Sequence, residues 1–221
     1  MNRISCFKLA ILGIAMSLLF PACNGLFEGI YDEPSKEHRS EFGFVETDEA
    51  NKSGIIYIDA TSYTRWTYIN FHTQTIDSLE ISEHSADPEA WDIAIHRYDT
   101  KTNGASVLET GFTGLSALNA SGKMPEGTYI EDEWTEEQII TDMSGMMEGK
   151  LKYAHSFYNV ELSKWLFVDT GNMPPNYYPS NKVYVIKLKD NTMVAVRLKD
   201  FMDASGIKGY MTIEYIYPLE F

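Results

Sequence analysis

The chain has 221 residues, two cysteines and a formal net charge of −14. That length suits one domain with its own core, and two thiols are too few for a disulfide scaffold or a four-thiolate metal site. Hydrophobic residues make up 44% and aromatics 13%, which excludes a disordered chain; 18 basic residues against 32 acidic ones, with no basic run, exclude nucleic acid as a partner.

Arg3 and Lys8 precede the apolar run from Leu9 to Phe20, and Phe20-Pro21-Ala22 leads into Cys23. A charged start, an apolar stretch and a small residue at the cut site make residues 1–22 a secretory signal. The run is shorter than the roughly twenty apolar residues of a spanning helix. A cysteine directly after Ala22 resembles a bacterial lipobox, with Pro21 as a departure from the usual residue. The resemblance implies cleavage before Cys23 and lipidation of its thiol. Without residues 1–22 the chain loses Cys6, Arg3 and Lys8, which leaves 16 basic against 32 acidic residues and a charge of −16. With one cysteine left, no internal disulfide can form, so stability rests on core burial. Acyl chains on Cys23 would hold the body to a membrane.

Residues 23–52 read as the lipidated cysteine and a flexible tether, because no hydrophobic period is sustained there. Acidic residues soon after Cys23 are similar to surface-export signals in lipoproteins of some Gram-negative anaerobes. The expected location is therefore the outer membrane, lipid-anchored and surface-exposed.

From Ser53 the pattern is that of a single β domain, 53–221. Gly54–Ala60 is an expected strand. Arg65–Phe71 places Trp66 and Tyr68 on one face, with Ile69 and Phe71 breaking the register, and Thr75–Ile81 completes a hairpin. Trp91–Tyr98 is a further strand, stopped by the Thr102-Asn103-Gly104 turn signal. Lys182–Lys189, a turn at Asp190-Asn191 and Thr192–Lys199 form another hairpin. Asp200–Ile207 could form one helical turn, and Gly209–Tyr217 closes the sheet. Tyr, Val, Ile and Thr dominate these runs, as half-buried pleated surfaces favour. Strands about ten residues apart, without long helices between them, give an all-β class: mainly antiparallel, sandwich-like, with at most short helices.

Residues 135–178 read differently. Glu136–Gly149 lacks strand alternation, Tyr153–Trp165 suits helix or strand, and Asp169–Pro179 reads as a loop because its prolines oppose regular pairing. A loop-rich insert beside a rigid β scaffold is where binding residues usually sit.

An enzyme is not expected. The glycines form no phosphate loop, there is no G-x-S-x-G elbow, and no free cysteine nucleophile remains. His38, His72, His84, His96 and His155 form no zinc signature. The methionines stand out instead: Met143, Met146, Met147 and Met173 fall within the insert, in polar, turn-rich settings. A methionine usually fills gaps in a core, but a thioether is also a soft neutral ligand for copper(I) or haem iron.

The stretch Trp91-Asp-Ile-Ala-Ile-His-Arg-Tyr-Asp-Thr-Lys-Thr-Asn-Gly104 resembles the signature of the HmuY family of haem-binding lipoproteins. Tyr57–Ala60 and Trp66–Phe71 precede it at a fitting distance, and Trp165-Leu166, Ser180–Val185 and Gly209–Pro218 are similar to the family's end. The likeness implies an all-β fold holding one haem (iron protoporphyrin IX) between two axial ligands from loops. It also implies transfer to an outer-membrane, TonB-dependent haem receptor. Some members use two histidines, but the loop after Trp165 offers Asp169-Thr170-Gly171 and no histidine. Others use two methionines, and the matching loops here offer Met146 and Met173, with Met143, Met147 and His155 in reserve. Tyr153, Phe157, Tyr177 and Tyr178 are expected to pack on the porphyrin. No metal other than haem iron is expected. His96 and Arg97, within the signature, read as structural. The competing expectation is a glycan- or peptide-binding β module that uses exposed Trp and Tyr as platforms.

Overall fold

The computed structural model describes residues 41–82, 86–171 and 174–221. In chain order the strands are β1 (Gly43–Asp48), β2 (Ser53–Asp59), β3 (Arg65–Asn70), β4 (Thr75–Glu80), β5 (Ile93–His96), β6 (Asp99–Thr102) and β7 (Ser106–Glu109). The helix α1 (Leu115–Ser121) precedes β8 (Ile130–Glu131), β9 (Glu133–Gly145) and β10 (Lys150–Tyr158). Then come β11 (Leu166–Asp169), β12 (Asn176–Pro179), β13 (Tyr184–Lys187), β14 (Met193–Met202) and β15 (Lys208–Ile216). The fold is all-β and antiparallel, as the pattern of short β-branched runs implies.

A seven-stranded sheet runs β1-β2-β15-β14-β13-β7-β8, and a four-stranded sheet runs β4-β3-β5-β6. Strand alternation assigns their side chains to layers. Ile56, Ile58, Val194, Val196, Met211 and Ile213 of the large sheet pack with Ile69, Phe71, Ile93 and Ile95 of the small one, and Trp165 and Leu162 join the same core. Burying one such aliphatic side chain contributes about 1.5–3 kcal/mol. The alternate residues of the large sheet, Val183, Val185 and Ala195, face the other way and are covered by Leu118 of α1. The far face of the small sheet carries Trp66, Tyr68 and Ala94, covered by Ile139 of β9 with Ala154 and Tyr158 of β10. Ile69 and Phe71 thus do not break a register. Both faces of β3 are buried, with Trp66 and Tyr68 on one and Ile69 and Phe71 on the other, so each face carries apolar residues.

Four further expectations are corrected. Residues 43–48 are not tether but a strand paired with β2. Trp91–Tyr98 is not one strand: β5 takes only Ile93–His96, Arg97 at φ 54° turns the chain, and β6 begins beyond it at Asp99. Asp200–Ile207 is not helical: β14 continues to Met202, and the turn that follows closes on the Asp203 carboxylate, which accepts the amides of Ser205 (2.9 Å) and Ile207 (2.8 Å). The insert is not loop-rich. It is two hairpins, β9–β10 and β11–β12, each a two-stranded sheet. Pro179 ends β12 on an edge, where its missing N–H costs no ladder bond. Register shifts interrupt β9–β10 at three places, which removes the alternation from the sequence.

Candidate functional site

The two hairpins stand over the β5–β6 turn and enclose a cleft of about 510 Å³, within the size range of small-molecule sites. Its floor is Tyr63 and the run His96-Arg97-Tyr98-Asp99. One wall is Gln138, Ile140 and Met143 of β9, and the other is Leu166, Phe167 and Val168 of β11 with Thr170, Pro175 and Tyr177. The lining is aliphatic and aromatic around a few polar atoms, as ligand sites generally are.

The floor is held rigidly. Trp165, fully buried, donates its indole N–H to the Tyr98 carbonyl at 2.9 Å. Asn159, also fully buried, donates to the Asp132 carboxylate (2.8 Å) and the Ile130 carbonyl (3.2 Å), and its side-chain oxygen accepts the Leu162 amide (2.8 Å). The other Asp132 oxygen accepts the Thr102 amide at 2.6 Å. Burial pushes the Asp132 carboxyl up, against the hydrogen bonds that lower it. The base of β9–β10 is thereby clamped to β6. Higher up, Gln138 Nε2 donates to Asp99 Oδ1 at 3.1 Å and ties the same hairpin to the floor.

The His96 ring is buried and donates Nε2–H to the Tyr63 carbonyl at 2.9 Å. This fixes the tautomer and leaves Nδ1 without a hydrogen-bond partner; the Asp99 carboxylate, 3.9 Å away, is too far. Burial drives the Tyr98 hydroxyl well above its usual range, against the opposing pull of Arg97, so it stays protonated. Tyr177 meets Tyr98 edge-on at 5.5 Å and stacks on Phe201 at 5.4 Å.

The expected site residues separate into groups. Met143 and Tyr177 line the cleft. Met146 sits in a 3-10 turn, Met146–Glu148, at the tip of β9–β10, while Met147 is 89% exposed. The tip turns sharply because Gly149 adopts φ 68° and returns its amide to the Met146 carbonyl at 3.0 Å. Met173 and His84 lie outside the described residues, as do residues 1–40 with the expected signal and Cys23. Tyr178 stacks on Phe167 at 6.2 Å, outside the lining. Tyr153 and His155 line a separate hollow with Trp134, and Phe157 packs edge-on against Trp134 at 5.3 Å. Residues 153, 155 and 157 are exposed while 154, 156 and 158 turn inward, so β10 presents this trio away from the core. The sequence reading missed Phe167, Tyr98 and Ile140 as cleft residues. The apolar run Leu166-Phe167-Val168 next to Trp165 was the available signal for Phe167.

A larger hollow of about 840 Å³ lies between β1–β2 and α1. Its charged pair, Arg197 Nε and Glu214 Oε2, is already satisfied at 2.8 Å, and it holds no thioether.

Among solved structures, a candidate HmuY-like haem-binding protein from Bacteroides vulgatus shares 60% identity at a TM-score of 0.78, covering 82% of this chain and 100% of that one. A candidate lipoprotein from Bacteroides fragilis shares 56% identity at a TM-score of 0.79, over 83% of this chain and 99% of that one. The apo HmuY analogue of Tannerella forsythia is 25% identical at a TM-score of 0.64, over 74% and 94%. None of the curated proteins matches the chain. The model of the HmuY protein family matches residues 62–215, and with the 60% identity across most of the chain it follows that this protein belongs to the HmuY family.

Proposed function

We propose that the chain binds one haem in the cleft between β9–β10 and β11–β12, as a non-enzymatic surface lipoprotein anchored through Cys23 that passes its haem to an outer-membrane receptor. The observation that carries the reading is the apolar cleft with a thioether, Met143, in its wall, at the place where two hairpins face each other. The Bacteroides vulgatus relative described as HmuY-like and haem-binding supports it, and the Bacteroides fragilis relative supports the lipid anchor. In this reading one axial thioether comes from the β9–β10 hairpin, Met146 at the tip or Met143 in the wall. The other is Met173, which falls between Asp169 of β11 and Asn176 of β12. Ile140, Phe167 and Tyr177 pack on the porphyrin and keep water from the iron. Haem supplies the redox-active iron, and the chain supplies the ligands and the apolar enclosure.

Two neutral thioethers do not offset the extra charge of ferric iron, so the ferrous form binds tighter. Haem titration followed at the Soret band, oxidised and reduced, tests this. Met173→Ala and one of Met143→Ala and Met146→Ala are expected to lose the reduced low-spin spectrum. Equal affinity in both oxidation states, unchanged in all three variants, overturns the thioether pair. Palmitate labelling that disappears in Cys23→Ala tests the anchor. Exposed Trp134, at 56%, supports a second reading as a glycan- or peptide-binding module, which the absence of any Soret shift favours.

A further inference from the structure

We propose that Arg97 is the charge partner of an anionic group on the ligand, which for haem is a propionate carboxylate; this rests on the haem reading above. Arg97 lines the cleft. Its Nη1 donates to the Thr61 carbonyl at 2.6 Å and the Ala60 carbonyl at 3.4 Å, and its Nη2 to the Tyr98 hydroxyl at 3.2 Å. Every one of these acceptors is neutral. The rings of Tyr63 and Tyr98, with centroids 4.6 and 5.1 Å from Cζ, add quadrupole attraction but no countercharge. Among the described residues no carboxylate pairs with Arg97, and its Nε is buried without an acceptor. A half-buried cation lacking an anion is costly to keep.

The backbone makes two concessions to hold this side chain in place. Arg97 itself adopts φ 54°, which a residue with a Cβ rarely holds. Opposite it stands Gly209, where a Cβ would lie 2.8 Å from Arg97 Nη1. The other charged groups of the cleft are already engaged: Lys164 with Glu161 at 2.5 Å and Asp99 with Gln138 at 3.1 Å. The donors that no group of the chain accepts are Nε–H, shielded from solvent, and the second hydrogen on Nη2. They form the side-on fork of a guanidinium, which matches the two oxygens of a carboxylate. A porphyrin entering the cleft is then oriented, with one propionate edge toward the floor.

The test compares haem with haem dimethyl ester, whose propionates are capped, by Soret titration of the wild type, Arg97→Gln and Arg97→Lys. Metal-free protoporphyrin IX and its dimethyl ester, followed by fluorescence quenching, repeat the comparison without iron ligation. The wild type is expected to prefer the free acid by on the order of ten-fold. The preference disappears in Arg97→Gln and returns in part in Arg97→Lys. Equal binding of acid and ester by the wild type overturns the role of Arg97 and leaves the haem reading intact, and so does a preference that survives in Arg97→Gln. No binding of any porphyrin overturns both. Should Arg97→Gln fail to fold, as judged by circular dichroism, the wild-type comparison together with Arg97→Lys still decides.

Discussion

His72 Nε2 lies 2.9 Å from Asp190 Oδ2, and this contact joins the turn after β3 in the small sheet to the turn between β13 and β14 in the large one. The other ring nitrogen, Nδ1, lies 3.1 Å from Asp92 Oδ2. A neutral imidazole can donate only one of these bonds, whereas the cation donates both. Burial pulls the His72 pKa down, but the bonds to Asp190 and Asp92 outweigh it and leave the value raised above 6.5. Asp190 is held at about 2 by Thr192 and then by His72.

The signs of these shifts define a pH window. A raised histidine stabilises the fold fully below its ordinary value of 6.5 and stops doing so as pH rises through the folded value. A depressed aspartate stabilises above its ordinary 3.8 and stops doing so as pH falls toward about 2. His72→Ala should therefore cost most between about pH 4 and 6.5. With side chains 38% and 50% exposed, solvent screening limits the cost to at most about 1 kcal/mol. Thermal melts of both proteins from pH 3 to 9 check this, and a gap that widens above pH 8 contradicts it.

Asn159→Ala removes three side-chain hydrogen bonds and strands the buried Leu162 amide. The expected loss is about 2–4 kcal/mol. It should be read as a lower denaturant midpoint at constant slope.

Gly209→Ala introduces a Cβ at φ 105°, 2.9 Å from Thr61 Cα and 3.2 Å from the Ala60 oxygen. Neither backbone atom can swing away as a side chain can. A destabilisation of about 1–3 kcal/mol follows, and it should be accompanied by weaker ligand binding because Arg97 is displaced. Stability and affinity measured on the same sample check the pair of effects.

Phe167 is 61% exposed and lines the cleft, whereas Phe157 is 52% exposed and faces Trp134 elsewhere. Either change to Ala should alter stability by no more than about 0.5 kcal/mol. Phe167→Ala should weaken haem binding roughly three- to ten-fold, and Phe157→Ala should leave it unchanged. The reverse order of effects would move the site to the other face of β10.

The strands that bury alternate residues were legible in the sequence. Ile56 and Ile58, Val194 and Val196, and Ile93 and Ile95 repeat every second residue because one face of each strand meets the core. The hairpins around the cleft were not. In β9 and β10 the bulges break the period, and the outer half buries no residue. In β12 the prolines at 175 and 179 signal a loop, although they flank an edge strand and leave its few ladder bonds intact. Residues 43–48 carry Phe44 against the core, but a single inward aromatic makes no period. Of the expected site residues in the described chain, Met143 and Tyr177 come together, since both sit on wall strands. Tyr153, His155 and Phe157 fall on the opposite parity of β10, which only the strand assignment fixes.

No residue from 141 to 153 is buried. The β9–β10 ribbon projects past its last apolar contact like a cantilever, and its far end belongs to no cooperative unit of the core. Amides there should exchange with solvent quickly, while those of the floor exchange only with global unfolding. An occupant of the cleft supplies the overhang with the surface it lacks, so recognition and the final step of folding become one event. Substitutions along the overhang can then change what is gripped at almost no cost to the body that holds it.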